Sequence, residues 1–270
     1  MADSLSDIVA AVLGARRIVV FSGAGISTDA GIPDYRGGGG QYERYQPVMF
    51  DDFMTSRSSR LAYWTHKAGV WPAIRDAQPA AGHRMVTQLA GTGRLQGVIT
   101  QNIDGLHEKS GTAPEFIVNL HGSNLAVVCV ACSARRPAGE VLDPLAELQR
   151  PLKAEDVPLC PACGGLLKPA TVMFGQALPA GELARAEALL AGCDLLIAIG
   201  STLTVQPAAS IPLLARANGA RLMIVTRGET PLDSQADLRY DGDISSVAVA
   251  VSDALAGPNG PSSGHSENPS

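Results

Sequence analysis

Aromatic residues make up only 4% of this 270-residue chain and charged residues only 17%. No apolar run approaches the roughly 20 residues that a membrane-spanning helix needs, so no membrane association is expected. The first residues, Met1-Ala2-Asp3-Ser4-Leu5, lack the basic start and apolar stretch of an export signal. Excess positive charge is also missing. The formal net charge is −5 without a long Lys/Arg run, which argues against direct nucleic-acid binding and favours a basic peptide as partner. Cysteine is scarce and odd in number. Four of the five cysteines form two CxxC pairs, and without an export signal that pattern points to a metal in a reducing, cytoplasmic setting rather than to disulfides.

What is present reads as α/β. Residues 4 to 14 suit a short amphipathic helix, and Arg17 to Ser22 is a β-branched run that stops at Gly23, a buried strand meeting a turn. A helix is expected to open over Ala24 to Ala30, followed by a Gly- and Pro-rich loop past Gly40 to Pro47. Helices are expected over 51 to 90, broken near Trp71-Pro72 and Gln78-Pro79, then strands at 95 to 100 and 116 to 120. The cysteine region, 124 to 168, loses this periodicity and looks inserted. After it come strand 171 to 174, helix 180 to 191, strand 194 to 199, helix 207 to 218 and strand 221 to 226, the rhythm of a doubly wound parallel sheet. The expected organisation is a Rossmann-like core (about 1–48, 80–123 and 169–256), a helical insertion (about 49–79), a small zinc-binding module (about 124–168) and a disordered tail (257–270).

Gly23-Ala24-Gly25 after a strand is an arrangement that admits a pyrophosphate, although a ligand-free turn reads the same way. Thr28 stands where the dinucleotide fingerprint has its third glycine, which disfavours an ordinary hydride-transfer enzyme. The longer stretch Gly23 to Gly37, with Ser27 and Asp34-Tyr35-Arg36, closely resembles the signature of the sirtuins. The resemblance continues through Thr100-Gln101-Asn102-Ile103-Asp104-Gly105-Leu106-His107, His121-Gly122, the CxxC pairs, Phe174-Gly175 and Gly200-Ser201-Thr202-Leu203. Tyr63-Trp64 and Gly164 to Pro169 look most like the bacterial members of the class II branch.

Cys129, Cys132, Cys160 and Cys163 supply four thiolates, which fill a tetrahedral zinc site and leave no position for water, so the metal would be structural. The alternative is two pairs of ordinary reduced thiols. Cys193 reads as a small buried hydrophobe.

The resemblance implies an NAD-dependent protein lysine deacylase that releases nicotinamide and O-acyl-ADP-ribose from acylated lysines of proteins. His121, at a strand end, would be the general base toward a ribose hydroxyl, and its near-neutral titration suits the task; a structural histidine is the alternative. Asn102 would position ribose and water, and Asp104 would hold the nicotinamide carboxamide or cap the following helix. The implied cofactor pocket adds Gly23, Ala24, Gly25, Ser27, Asp34, Tyr35, Arg36, Gln101, Ile103, Gly200, Ser201, Thr202, Thr226, Gly228 and Asp241. Val172, Phe174 and Gly175 would clamp the peptide. Tyr35 stands where Phe is usual, Ser201-Thr202 inverts the usual order, Thr226 replaces an Asn, and Gln176 replaces a Glu. No Tyr-x-x-Arg pair for acidic acyl groups occurs between 50 and 80, since His66 follows Tyr63 at that spacing, so acetyl or neutral longer chains are the expected substrates. A protein ADP-ribosyltransferase and a non-catalytic NAD sensor are the competing readings.

Overall fold

Three parallel pairings follow directly from the β-branched runs. In the computed structural model, which describes residues 3–34 and 45–257, β1 (Ile18–Ser22) lies between β2 (Leu95–Thr100) and β7 (Leu195–Ile199), and β2 pairs on its far side with β3 (Ile117–Asn119). β8 (Arg221–Val225) and β9 (Leu238–Tyr240) extend the other edge, giving the order β3-β2-β1-β7-β8-β9 among the described residues. Every residue of β1 and β7 is buried, as unbroken apolar runs require when helices cover both faces. One face carries α1 (Leu5–Gly14), α4 (Ala81–Gly91) and α9 (Ile244–Ala256); the other carries α7 (Ala180–Leu190) and α8 (Ile211–Ala217). α1 is fixed at its start by a capping box in which the Ser4 and Asp7 side chains bond each other's backbone N–H.

α2 (Phe50–Thr55) and α3 (Arg57–Asp76) form the helical layer, α5 (Leu106–Lys109) follows β2, and the cysteine region holds β4 (Gly122–Cys129), β5 (Arg135–Pro137), α6 (Ala138–Ala146) and β6 (Leu167–Thr171). β5-β4-β6 is a small antiparallel sheet. Phe53, Tyr63, Trp64 and Trp71 from the helices pack with Val127, Leu142 and Leu167 of the cysteine region in one apolar cluster.

Four expectations are corrected. The strand expected at 171–174 is β6, three to four residues earlier, and it pairs antiparallel with β4 instead of joining the parallel sheet. The helix expected over 24–30 is a 3-10 helix, and the one expected from 207 begins as a 3-10 turn, Ala208–Ser210. The helix expected to break at Trp71-Pro72 runs through Pro72 to Asp76. An interior proline costs about 3 kcal/mol, but Trp64 and Trp71 are both buried on that helix and Trp71 Nε1–H donates to Asp143 Oδ1 at 2.6 Å. At about 25 cal/mol per Å² over roughly 150–250 Å² per ring, each tryptophan offsets the proline. The expected loop past Gly40 and the tail beyond Gly257 lie outside the described residues.

Candidate active site

The strand order reverses between β1 and β7, and ligands of open parallel sheets bind beyond the strand ends at such a point. The turns after these two strands interlock. Gly25 N–H donates to the Gly200 carbonyl at 2.8 Å and Gly23 N–H to that of Ile199 at 3.0 Å. A Cβ on Gly23 would lie 2.7 Å from Gly200 O, and one on Gly25 would lie 2.8 Å from Gly200 Cα. The glycines are therefore demanded first by turn-on-turn packing, which in turn lays the backbone along the floor of a cavity of about 870 Å³.

Gly23, Ala24, Gly25, Asp34, Gln101, Asn102, Ile103, His121, Val172, Phe174, Gly175, Gly200, Ser201, Thr202 and Thr226 all line this cavity, so the structure brings most of the sequence-predicted residues together. Ser27 and Asp104 lie one layer beneath the wall. Gly228 and Asp241 are off it, joined to each other by Gly228 N–H donating to Asp241 Oδ1 at 2.9 Å. Tyr35 and Arg36 fall outside the described residues.

His121 Nδ1 lies 2.8 Å from the Gln101 carbonyl. A carbonyl can only accept, so Nδ1 carries the proton and Nε2 is left as a lone-pair base. Burial pushes His121 below the ordinary histidine value, partly opposed by that carbonyl, so the ring is neutral at pH 7. The Gln101 side chain donates to Ser201 Oγ at 2.8 Å, tying β2's end to β7's. Asn102 Nδ2 donates to Gly23 O at 3.1 Å and to Ser27 Oγ at 3.2 Å. Both amide hydrogens are thereby used, so Oδ1 is what Asn102 has left to offer at the wall.

Beneath it lies a buried polar layer. Ser27 Oγ–H donates to Asp104 Oδ2 at 2.8 Å, while Asp104 Oδ1 accepts Leu106 N–H at 2.9 Å; the N-cap position of α5 is Gly105. Burial raises the Asp104 carboxyl, against the lowering effect of those two bonds. His83 Nδ1 accepts Ala80 N–H at 3.2 Å, which puts its proton on Nε2, 3.4 Å from Ser27 Oγ. His107 Nε2 contacts Ser22 Oγ at 2.9 Å, and Ser22 donates on to Thr100 Oγ1. Burial holds His83 near 4 and His107 near 3. Sequence reasoning assigned no role to this histidine pair, and no local pattern marks His83 as buried.

Val172 N–H donates to the His121 carbonyl at 2.8 Å, linking the segment from Val172 to Gly175 to His121. Gln176 Oε1 accepts Met173 N–H at 3.0 Å and holds the following turn. Beside Thr226, Arg239, also missed, ties the loop together by donating to the carbonyls of Thr226, Gly228 and Tyr240.

The four cysteine Sγ atoms lie within 4.8 Å of one another, with Cys129 to Cys163 at 3.5 Å and Cys132 to Cys160 at 3.7 Å. Four thiolates about 2.3 Å from a tetrahedral zinc sit roughly 3.8 Å apart, so the set fits the ion. Backbone N–H groups of Cys132 and Gly165 approach Cys129 and Cys163 sulfurs at 3.5 and 3.4 Å. Gly165 has no room for a Cβ, which would meet the Cys129 sulfur at 3.0 Å.

A Rossmann-like sheet with this crevice, joined to a tetrathiolate module, defines an NAD-binding α/β enzyme with a structural zinc site. The Sir2 family model matches residues 23–207. A Bradyrhizobium diazoefficiens protein named NAD-dependent protein deacetylase 1 is 41% identical over 242 residues, covering 90% of this chain and 91% of its own. A Thermotoga maritima NAD-dependent protein deacetylase is 38% identical over 237 residues, covering 87% and 92%. A solved Sir2 complex with a p53 peptide and NAD+ superposes with a TM-score of 0.80 at 34% identity, covering 92% of this chain and 97% of that one. Sir2Tm bound to a propionylated peptide gives a TM-score of 0.80 at 33% identity with the same coverage. The chain belongs to the Sir2 family.

Proposed function

We propose that the cavity removes acyl groups, acetyl among them, from protein lysines in an NAD-dependent reaction. The observation that carries this reading is His121, neutral and with Nε2 free as a base, on the wall of a crevice floored by two glycine turns. NAD bound there supplies an electrophilic ribose carbon and a nicotinamide leaving group. The glycine turns let the chain pass close to the phosphates, and the Ser201 and Thr202 hydroxyls would hold phosphate and ribose oxygens. Asn102 Oδ1 orients a ribose hydroxyl or a water, and His121 Nε2 takes the hydroxyl proton as the acyl group moves. Ser27 and Asp104 keep the Asn102 amide from turning. Val172, Phe174 and Gly175 present the peptide's main chain, and the relatives solved with bound peptides support a protein substrate.

In this reading the chain divides into a Rossmann-like core, the helical insertion near 49–79 and the zinc module near 124–168. It works in the reducing cytoplasm, where thiolates stay available to zinc. No helix among the described residues is long and apolar enough to cross a membrane.

The test is mass spectrometry of protein, NAD and an acetyl-lysine peptide. Acetyl loss should require NAD, yield O-acetyl-ADP-ribose and vanish in His121→Ala. Acetyl loss without NAD, or ADP-ribose appearing on the peptide instead, would overturn the proposal.

A further inference from the structure

Tyr63, His66 and Lys67 fall at i, i+3 and i+4 on α3, one helix face, and all three line the cavity. Lys67 Nζ has one acceptor, Asn124 Oδ1 at 3.3 Å, and sits 5.5 Å from the Tyr63 ring centroid. No carboxylate among the described residues forms an ion pair with it. The charge that bears on it is another cation, Lys168, whose own Nζ is taken up by the carbonyls of Pro169 and Thr171. His66 adds no positive charge: it stacks on Tyr45 with centroids 3.6 Å apart, and burial brings it down to about 4. Val48, Tyr63, Ile103 and Met173 also line the cavity. Burial pulls Lys67 down to about 8, so it is still largely an ammonium at pH 7. Asp29, Asp34 and Asp243 also line the cavity, but no carboxylate is among the groups that bear on Lys67; a desolvated cation in that position is costly, and an incoming anion relieves the cost.

The position can be bounded. Asn124 follows His121 by three residues, in β4, and extended chain advances about 3.3 Å per residue, so the two Cα atoms are at most about 10 Å apart. Lys67 Nζ is hydrogen-bonded to Asn124, and Lys67 and His121 line the same cavity. We infer that Lys67 is a specificity-determining residue that pairs with a carboxylate at the far end of the acyl group. The enzyme would then accept lysines bearing short dicarboxylic acyl chains, malonyl to glutaryl, in addition to acetyl. The inference rests on the deacylase reading above. The sequence expectation against acidic acyl groups came from the missing arginine at the place of His66; on a helix the next residue, i+4, reaches the same wall as i+3, and there stands a lysine.

The experiment uses the full zinc-loaded chain, NAD and peptides of one sequence carrying acetyl-, pentanoyl- or succinyl-lysine, the last two being nearly equal in size. Wild-type kcat/KM should favour succinyl over pentanoyl by about tenfold or more, Lys67→Met should collapse that ratio to about one, and Lys67→Arg should restore it. Because the readout is a ratio within each variant, a general loss of activity or stability cancels. Acetyl turnover with no succinyl preference, or a preference untouched by Lys67→Met, overturns the inference. Absence of turnover on all three peptides indicts the deacylase reading instead. In that case fluorescence anisotropy of the same labelled succinyl and pentanoyl peptides decides, and equal Kd values for wild type and Lys67→Met overturn it.

Discussion

Ser27→Ala removes one oxygen from the layer under the active-site wall. Ser27 is 1% exposed, and its hydroxyl gives a hydrogen bond to Asp104 at 2.8 Å while receiving from Asn102 at 3.2 Å and from His83 at 3.4 Å. After the change Asn102 still donates to Gly23 O, and Asp104 still accepts through Oδ1. Asp104 Oδ2 and His83 Nε2–H are the groups left without a partner. Each orphaned buried group costs about 1–3 kcal/mol, so the native state should lose roughly 2–6 kcal/mol. For a domain of this size that is a fall in Tm on the order of 5–15 °C. Without the serine proton the Asp104 carboxyl rises further, and the Asn102 amide loses one of the two acceptors that orient it, so KM for NAD should rise as well. Scanning fluorimetry and NAD titrations of the deacylation rate measure both effects. Thr28→Ala, which removes an exposed hydroxyl bonded only to Gly25 O, should change stability by no more than about 0.5 kcal/mol. The reasoning fails if Ser27→Ala and Thr28→Ala melt together.

Chelating zinc should shift tryptophan emission to the red. Both tryptophans of the chain, Trp64 and Trp71, sit in the cluster that includes Cys129 and Cys160; unchanged emission from metal-free protein would show that the module does not depend on the ion. Acid should destabilise the fold above the carboxylate range. The unfolded chain binds protons on His83 and His107 at the ordinary 6.5, the folded chain only near 4 and 3, so unfolding takes up protons and stability falls as pH drops below about 6.5. Urea midpoints that stay level between pH 7 and pH 4.5 would contradict this. Activity should decline on the acid side at a pH below the usual histidine value, because His121 is held down by burial; a limb at or above 6.5 in kcat/KM would count against His121 as the base. Gly200→Ala should be severe. Its φ is +65° and a Cβ would lie 2.4 Å from Ile26 N, so beyond the roughly 1 kcal/mol of left-handed strain the two turns must part; native-like Tm and NAD binding would refute the interlock.

The strands of the parallel sheet were legible because β1, β2, β7 and β8 are short β-branched runs buried on both faces. The tetrathiolate was legible from spacing alone. What escaped was set by tertiary packing. Pro72 reads as a helix end, yet two buried tryptophans carry α3 across it. Residues 171–174 read as another core strand, but Lys168 and its neighbours pair with β4, a partner no local pattern announces. The glycines of the first turn read as a phosphate cradle, and their tightest constraint proves to be Gly200 on a strand some 175 residues later. His83 and Lys67 carry no motif, and His107 closes one without a role read for it; only folding shows that the two histidines lie under Asn102 and that the lysine faces the cavity.

Tyr63 belongs at once to the cavity wall and to the apolar cluster that holds Cys129 and Cys160. The shape of the cavity is therefore tied to the cysteine module: if the proposed acyl site lies against Tyr63, a change such as Leu142→Ala, in the same cluster, would reach substrate choice through one tyrosine ring.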